Sequence, residues 1–224
     1  MSASRLRVCA VMLSIMLIVV GLARDDARAQ AAQPRTGHLF PPENLGLLES
    51  PDRAAWQKPD QIMDALGVAD GSTVADIGAG AGWFTIQLAR RVGPNGVVYA
   101  EDVQRQMLEA IRRRVGREGL QNVHTVFGTG TNPHLPQGRL DAILVVDVYS
   151  EVDDRVTFLR NVAAALKPTG RIGVVNYKPG GGGPGPAPSD RVDSSVVEAD
   201  ARAAGLRVLS RASLPFQYLL VLGR

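Results

Sequence analysis

The chain has 224 residues, a length that suits one domain with a sizeable core. Its formal net charge of +3 falls to 21 − 20 = +1 when residues 1–29, which hold four arginines and two aspartates, are set aside as a leader. A nearly neutral chain with 5% aromatic residues and no basic stripe argues against a nucleic-acid partner.

The first 29 residues have the pattern of a secretory signal peptide. Arg5 and Arg7 precede an apolar run over residues 8–23, and Ala27-Arg28-Ala29 offers small residues for cleavage after Ala29. The run is shorter than the ~20 apolar residues of a spanning helix. We expect a periplasmic or secreted protein, with a membrane anchor through residues 8–23 as the alternative if the leader stays uncleaved.

The mature chain divides into a flexible tether or lid over residues 30–48, rich in proline and polar residues, and one domain over residues 49–224. The single cysteine, Cys9, lies in the leader, so no disulfide and no thiol nucleophile are expected in the domain. The histidines and acidic residues show no spacing typical of a metal site.

Two short helices are predicted at the start of the domain. Ser50 as N-cap and Pro51 at the first helical position predict a helix to about Trp56. Pro59–Leu66 predicts a second helix, which Gly67 ends. Trp56 either closes over a ligand site or packs at the edge of the core.

The stretch from Val74 to Ala89, VADIGAGAGWFTIQLA, combines a short apolar strand, a glycine loop and the start of a helix. Gly78, Gly80 and Gly82 have no Cβ, so the backbone of this loop can come close to a ligand. Free N–H groups of the loop and of the helix start would then face that ligand.

The glycine spacing argues against two nucleotide-binding motifs. A dinucleotide fingerprint is G-x-G-x-x-G with an acid about twenty positions on, whereas these glycines run G-x-G-x-G and Asp76 precedes them. A phosphate-binding P-loop would need Gly-Lys-Ser/Thr, which is absent. A carboxylate beside the loop suits a ligand that carries an ammonium group, and a nicotinamide-dependent oxidoreductase is disfavoured.

Strands and helices alternate after this loop, as in βαβ units. The apolar stretch LDAILVV is typical of a central parallel strand that is covered on both faces. The glycine- and proline-rich residues 178–188 predict only a loop. The predicted strands are Val97–Glu101, Val123–Phe127, Leu140–Val146, Arg171–Tyr177, Leu206–Arg211 and Phe216–Leu222, and the predicted helices are Gln104–Arg117, Val152–Leu166 and Asp193–Ala204.

VADIGAGAGWFTIQLA resembles motif I of the class I S-adenosylmethionine (SAM)-dependent methyltransferases, and the resemblance extends over about Leu48 to Val221. It implies SAM as the cofactor and a small-molecule acceptor. It also implies a Rossmann-like α/β fold with a mostly parallel sheet of strand order 3-2-1-4-5-7-6, an antiparallel last strand and helices on both faces. In this motif the resemblance assigns cofactor binding to Asp76, Gly78, Ala79, Gly80 and Gly82.

The stretch VVYAEDVQRQML is similar to the family's strand-two motif. The resemblance assigns the ribose diol to Asp102, with Glu101 as the fallback, and places Val103 against the adenine ring. A carboxylate can accept two hydrogen bonds from a diol. After strand three, Gly128-Thr129 replaces the family's usual Gly-Asp, so the Thr129 hydroxyl or a backbone group would have to contact the adenine.

The segment Asp147-Val148-Tyr149-Ser150-Glu151 resembles the D-V-Y-H-E segment of a subgroup of small-molecule methyltransferases. It implies that Asp147 and Tyr149 line the methyl-transfer site and that Asp147 also contacts the cofactor. Tyr149 as a packed aromatic residue is the alternative. Ser150 stands where histidine is usual, which removes a general base or a substrate contact.

These observations predict transfer of the SAM methyl group to a small-molecule acceptor by in-line displacement. The alternative is a non-catalytic SAM-binding or protein-interaction module in the cell envelope, because SAM is made in the cytosol and the leader predicts export. The oligomeric state is not indicated.

Overall fold

The strands of the computed structural model form one seven-stranded sheet of order β3-β2-β1-β4-β5-β7-β6. Residues 39–48 and 50–224 are the ones that the structure describes. All strand pairs are parallel except those of β7, which runs antiparallel to β5 and β6. The predicted strand order is therefore confirmed. The strands are β1 (Thr73–Ile77), β2 (Val97–Asp102), β3 (Val123–Phe127), β4 (Leu140–Val146), β5 (Leu166–Tyr177), β6 (Arg207–Ser213) and β7 (Gln217–Gly223).

Helices cover both faces of this sheet. None within the described residues is long and apolar enough to cross a membrane. The predicted signal peptide, its predicted cleavage site and residues 30–38 of the predicted tether lie outside the described residues. The helices are α1 (Arg53–Gln57), α2 (Pro59–Leu66), α3 (Trp83–Val92), α4 (Arg105–Arg117), α5 (Arg155–Ala164) and α6 (Ser194–Ala203), with 3₁₀ turns at Pro42–Leu48 and Pro188–Asp190.

The core is split between the two faces of the central strands. One face packs on α5 and α6, and the other packs on α2 and α3. Because β4 is covered on both faces, its residues alternate between the two layers without a polar side, which explains the continuous apolar run. The first layer includes Ile143, Val145, Phe158, Leu159 and Val197, and the second includes Val74, Leu144, Ile62, Leu66 and Leu88.

Two predicted helix starts are wrong. The helix expected from Val152 begins at Arg155, because the Asp154 carboxylate caps it by accepting the Thr157 N–H at 3.0 Å. The helix expected at Pro51 begins at Arg53, whose N–H donates to the Ser50 carbonyl at 3.0 Å.

Strand β5 begins at Leu166, five residues before the predicted start at Arg171. The sequence Lys167-Pro168-Thr169-Gly170 was expected to separate a helix from a strand, yet Leu166 is fully buried and pairs with Leu140. The register then shifts, so that Ala142 pairs with Arg171. Burial of Leu166 thus joins it to the sheet and leaves the turn residues as an irregularity within the strand.

The end of the predicted tether is ordered where the structure describes it. After Phe40, residues 42–48 form 3₁₀ turns. The Phe40 carbonyl accepts a hydrogen bond from Gln104 Nε2 at 3.1 Å, and the Phe40 N–H is directed at the Glu151 carboxylate, whose pKa it helps to lower against the effect of burial. Phe40 therefore connects the segment after β2 with the segment after β4.

Candidate active site

The carboxyl ends of β1, β2 and β4 meet at one edge of the sheet, where the glycine loop lies. Gly78, Gly80 and Gly82 all have positive φ angles of 64°, 54° and 77°. At Gly78 a Cβ would also overlap the Val148 side chain after β4. This loop therefore requires glycine for its conformation and, at its first position, for the close approach of the neighbouring strand.

Asp102 at the end of β2 is joined directly to this loop. Its Oδ2 accepts the Gly80 N–H at 2.9 Å, and its Oδ1 accepts the Gln104 N–H at 2.8 Å. The half-buried Val103 also directs its N–H at this carboxylate. The predicted glycine loop and the predicted acid at the end of strand two thus lie together. A carboxylate has about four lone-pair sites, so Asp102 can accept hydrogen bonds from a ribose diol in addition to those from the backbone.

Glu101, the fallback for the ribose, lies underneath the loop instead of at the surface. Its side chain is 2% exposed, and Oε2 accepts the Gly78 N–H at 3.3 Å. A Cβ on Gly128 would overlap this carboxyl group. Ala79 is fixed by the same residue, since its N–H donates to the Glu101 carbonyl at 2.9 Å. Glu101 therefore supports the loop from below.

Thr129 uses its hydroxyl within its own turn. Oγ1 donates to the Asn132 carbonyl at 3.2 Å and accepts the Asn132 N–H at 3.1 Å. The Gly128 N–H donates to the Asp102 carbonyl at 3.2 Å, which places the two residues beside the end of β2. Of the two contacts predicted for the adenine, the backbone one fits this geometry better than the hydroxyl.

Asp147 follows β4 in a left-handed backbone conformation, with a φ of 58°. Such a conformation is uncommon for a residue other than glycine and is concentrated at functional sites. Both oxygens of its carboxylate accept from the Gln217 amide nitrogen, with Nε2 at 2.9 Å from Oδ1 and 2.7 Å from Oδ2. The half-buried carboxylate is thereby held at the end of β4, beside the glycine loop.

Tyr149 is not brought to this site. Its side chain is completely buried in the core layer beneath α5 and α6, and its hydroxyl donates to Asp200 at 2.8 Å. The prediction that it contacts the methyl acceptor has no support in this geometry. The packed-aromatic alternative describes the residue.

A chain of buried amides connects α1 to Asp147. Arg53 Nε donates to Gln57 Oε1, Gln57 Nε2 donates to Gln217 Oε1 at 3.0 Å, and Gln217 then donates to Asp147. Gln57 and Gln217 are fully buried. No sequence motif points to Arg53, Gln57 or Gln217, although a glutamine at the start of the apolar strand QYLLVLG is a usable signal of a buried polar contact.

Replacing Gln217 with leucine is expected to lower the free energy of unfolding by about 2–4 kcal/mol, because a buried amide and a carboxylate each lose a partner worth roughly 1–3 kcal/mol. Urea unfolding measures this loss. The double variant Gln57→Leu/Gln217→Leu should cost clearly less than the sum of the single variants, since both buried partners are then removed together. Additive losses would contradict a coupled chain.

Five carboxyl groups around the loop have pKa values raised by burial, and Asp102 is one of them. The pKa of Asp76 rises to about 6 and that of Asp147 to about 7, in each case against the opposing effect of the Arg53 guanidinium. A hydrogen bond from Thr85 Oγ1 at 2.7 Å also opposes the rise for Asp76. Burial raises the pKa of Glu101 to about 8 and that of Glu151 to about 7. A cationic ligand would favour the ionised form of these groups.

Trp56 packs at the edge of the core, where its ring centroid lies 6.1 Å from that of Tyr177 and 6.0 Å from that of Phe216. The glycine- and proline-rich loop lies against the same two rings, since a Cβ on Gly183 would overlap Phe216 and one on Gly185 would overlap Tyr177. The structure thus gives this loop a definite place beside the aromatic cluster.

Arg191 fixes the glycine- and proline-rich loop through its backbone carbonyls. The Arg191 guanidinium donates to the carbonyls of Pro186 at 3.0 Å and Lys178 at 3.2 Å, and also to that of Gly181. Its Cζ lies 5.1 Å from the centroid of the Tyr177 ring. Arg191 therefore helps to hold the loop in place, and the loop's own composition does not reveal this contact.

The donor set fits SAM. The loop has a conformation that favours glycine at three positions, Asp102 can accept from a ribose diol, and Asp76 and Asp147 offer negative charge to an ammonium and a sulfonium. No group of metal-ligating side chains occurs among residues 39–48 and 50–224. A strand order of 3-2-1-4-5-7-6 with this loop defines the class I methyltransferase architecture.

Comparison with known proteins agrees with this class. A family model described as a methyltransferase domain matches residues 74–170. A SAM-dependent methyltransferase from Aquifex aeolicus has a similar crystal structure, with a TM-score of 0.78 and 27% identity over 82% of this chain and 98% of that one. The fold, the domain match over residues 74–170 and this similar structure together support a class I SAM-dependent methyltransferase, which implies SAM as the cofactor.

Curated relatives match over a shorter range. A demethylmenaquinone methyltransferase from Anoxybacillus flavithermus is 31% identical over 53% of this chain and 49% of the relative. The nocamycin O-methyltransferase of Saccharothrix syringae is 30% identical over 58% of this chain and 44% of the relative. The chain thus spans about half the length of these curated relatives.

Proposed function

We propose that this protein transfers the methyl group of SAM to a small-molecule acceptor, with Asp147 as the general base. When bound, SAM supplies an electrophilic methyl group that an oxygen or nitrogen nucleophile attacks in line. Asp102 holds the ribose, and the loop from Gly78 to Gly82 approaches the cofactor through its backbone. The relatives' names, which include an O-methyltransferase, support a small-molecule acceptor.

The proposal rests on the position, the orientation and the raised pKa of the Asp147 carboxyl group. Its carboxylate lies at the end of β4 in a strained left-handed conformation, and two hydrogen bonds from Gln217 fix its orientation. Burial raises its pKa to about 7, against the opposing Arg53 charge. A general base works best when its pKa is close to the operating pH. Asp147 can therefore take the acceptor's proton as the methyl group is transferred.

Calorimetric titration with SAM and S-adenosylhomocysteine, for the wild type and an Asp76→Ala variant, tests the cofactor part of the proposal. We expect saturable binding of both ligands and weaker binding by the variant, which removes the carboxylate beside the loop. Turnover on a panel of phenols, amines and thiols, with radiolabelled SAM, then tests transfer. A folded wild type that binds neither ligand would overturn the proposal.

A non-catalytic SAM-binding module is the second candidate. It is favoured by the burial of Tyr149, whose hydroxyl is committed to Asp200, and by Ser150 in the place of the usual histidine. The same titration and panel separate the two candidates. SAM binding without turnover on any acceptor class would favour the module, whereas turnover that falls sharply in Asp147→Asn would favour the enzyme.

A further inference from the structure

The Arg53 guanidinium lies beside the end of the glycine loop. Its Cζ is 4.5 Å from the centroid of the Trp83 ring and 5.8 Å from that of Phe84, the first two residues of α3. Its Nε donates to Gln57 of the same short helix, and Gln57 is fully buried. The cation is therefore fixed near the N-terminal end of α3, close to Asp76, whose carboxyl group accepts a hydrogen bond from Thr85 in the first turn of that helix.

Two carboxyl groups complete the charge pattern around this point. The Arg53 guanidinium opposes the rise that burial produces in the pKa values of Asp76 and Asp147, and both carboxylates in turn oppose the lowering that burial produces in the pKa of Arg53. One cation and two carboxyl groups thus flank the same loop. A free amino acid group carries one carboxylate and one ammonium, so this pattern matches a zwitterion better than it matches a simple anion or a simple cation.

We propose that Arg53 binds the carboxylate of the amino-acid end of SAM, while Asp76 faces its ammonium group. A guanidinium presents its donors in a fork that matches a carboxylate, and stacking on Trp83 holds the plane of that fork. The inference rests on the proposed function, because it concerns the same cofactor site. It adds α1, which precedes motif I, to the cofactor-binding elements.

The contact between Arg53 and the SAM carboxylate can be measured by comparing the Kd values of two ligands for two proteins, the wild type and Arg53→Met. SAM is compared by calorimetry with its decarboxylated analogue S-adenosyl-3-methylthiopropylamine, which keeps the sulfonium and the ammonium but lacks the carboxylate. For SAM, Arg53→Met should raise Kd by about 10- to 100-fold, the range of a hydrogen bond to a charged group. For the analogue, the same substitution should change Kd by less than about 3-fold, because the partner of Arg53 is already missing.

Arg53→Lys is a second variant that tests the same contact if Arg53→Met does not fold. It keeps the charge but loses the fork, so we expect a smaller loss for SAM and again little loss for the analogue. Arg90→Met is the matched control, because Arg90 lies in the last turn of α3 and pairs with Glu118 on the surface. This control should bind both ligands as the wild type does.

Each other outcome overturns the inference in a recognisable way. Equal losses for SAM and the analogue would mean that Arg53 only shapes the loop. Unchanged binding of both would mean that the charge serves another ligand, such as an anionic acceptor. In both cases wild-type SAM binding leaves the proposed function standing, whereas a wild type that binds neither ligand would overturn the function itself.

Discussion

Replacing Asp102 with alanine is expected to weaken SAM binding by about 100-fold. A carboxylate that accepts from both hydroxyls of the ribose contributes two charge-assisted hydrogen bonds, each worth roughly 1.5–3 kcal/mol. A factor of 100 corresponds to about 2.8 kcal/mol, less than their sum because such contributions are not additive. The substitution also removes the acceptor of the Gly80 N–H. Isothermal titration of the purified chain measures the change in Kd.

Two companion variants separate ribose binding from support of the loop. Asp102→Asn keeps an oxygen that can accept the Gly80 N–H but loses the charge, so we expect a loss smaller than that of the alanine variant. Glu109→Ala removes an exposed carboxylate on α4 and should leave Kd unchanged. If Asp102→Ala binds SAM within threefold of the wild type, the assignment of Asp102 to the ribose is wrong.

The fold was predictable from the sequence because its signals are local. Glycines at alternate positions, apolar runs of strand length and amphipathic helices follow one another in the order of the chain, and the resemblance in motif I supplies the strand order. The errors fall where tertiary contacts override a local signal. Pro168 and Gly170 predict a turn, yet Leu166 before them pairs with Leu140 and brings that segment into β5.

The site was predictable in part. The glycine loop and Asp102 carry motif signatures, and the structure joins them through one hydrogen bond. A motif does not specify the direction of a side chain that follows a strand end. The burial of Tyr149, whose hydroxyl donates to Asp200 in the core, could therefore not be predicted from the motif. The turn of Thr129 with Asn132 likewise depends on the backbone, not on the residue types alone.

The amide chain to Asp147 could not be derived from spacing. Gln57 and Gln217 are separated by 160 positions, and Gln217 and Asp147 by 70. The sheet order brings the start of β7 beside the end of β5 and hence near β4. Only this arrangement places Gln217 and Asp147 together. A buried polar residue in an apolar strand signals that a partner exists but does not identify that partner.

The stability of the ligand-free protein is expected to fall as the pH rises from about 4.5 to 8, and Glu101 should be the largest contributor. Burial raises its pKa from 4.5 to about 8, so between these values the folded chain holds a proton that the unfolded chain has lost. Unfolding then releases a proton, and the free energy of unfolding decreases by up to about 1.4 kcal/mol per pH unit for this group. Above about pH 8 its contribution levels off.

Glu101→Gln removes this titration while keeping an amide oxygen for the Gly78 N–H. Urea unfolding of the variant from pH 5 to 9 should therefore show a shallower fall in stability than the wild type. Asp76, Asp147 and Glu151 have pKa values raised in the same direction, so a smaller slope of the same sign should remain. Glu109→Gln, at an exposed position on α4, should keep the wild-type slope.

SAM should reverse part of this pH dependence, because its sulfonium and ammonium favour the ionised form of the surrounding carboxyl groups. The rise in melting temperature produced by saturating SAM is therefore expected to be larger at pH 8 than at pH 6. An equal rise at both pH values would show that these carboxyl groups do not interact with the cation. If Glu101→Gln and the wild type lose stability with the same slope, Glu101 is already ionised in the folded chain at neutral pH, and the charge beneath the loop must be compensated by another group.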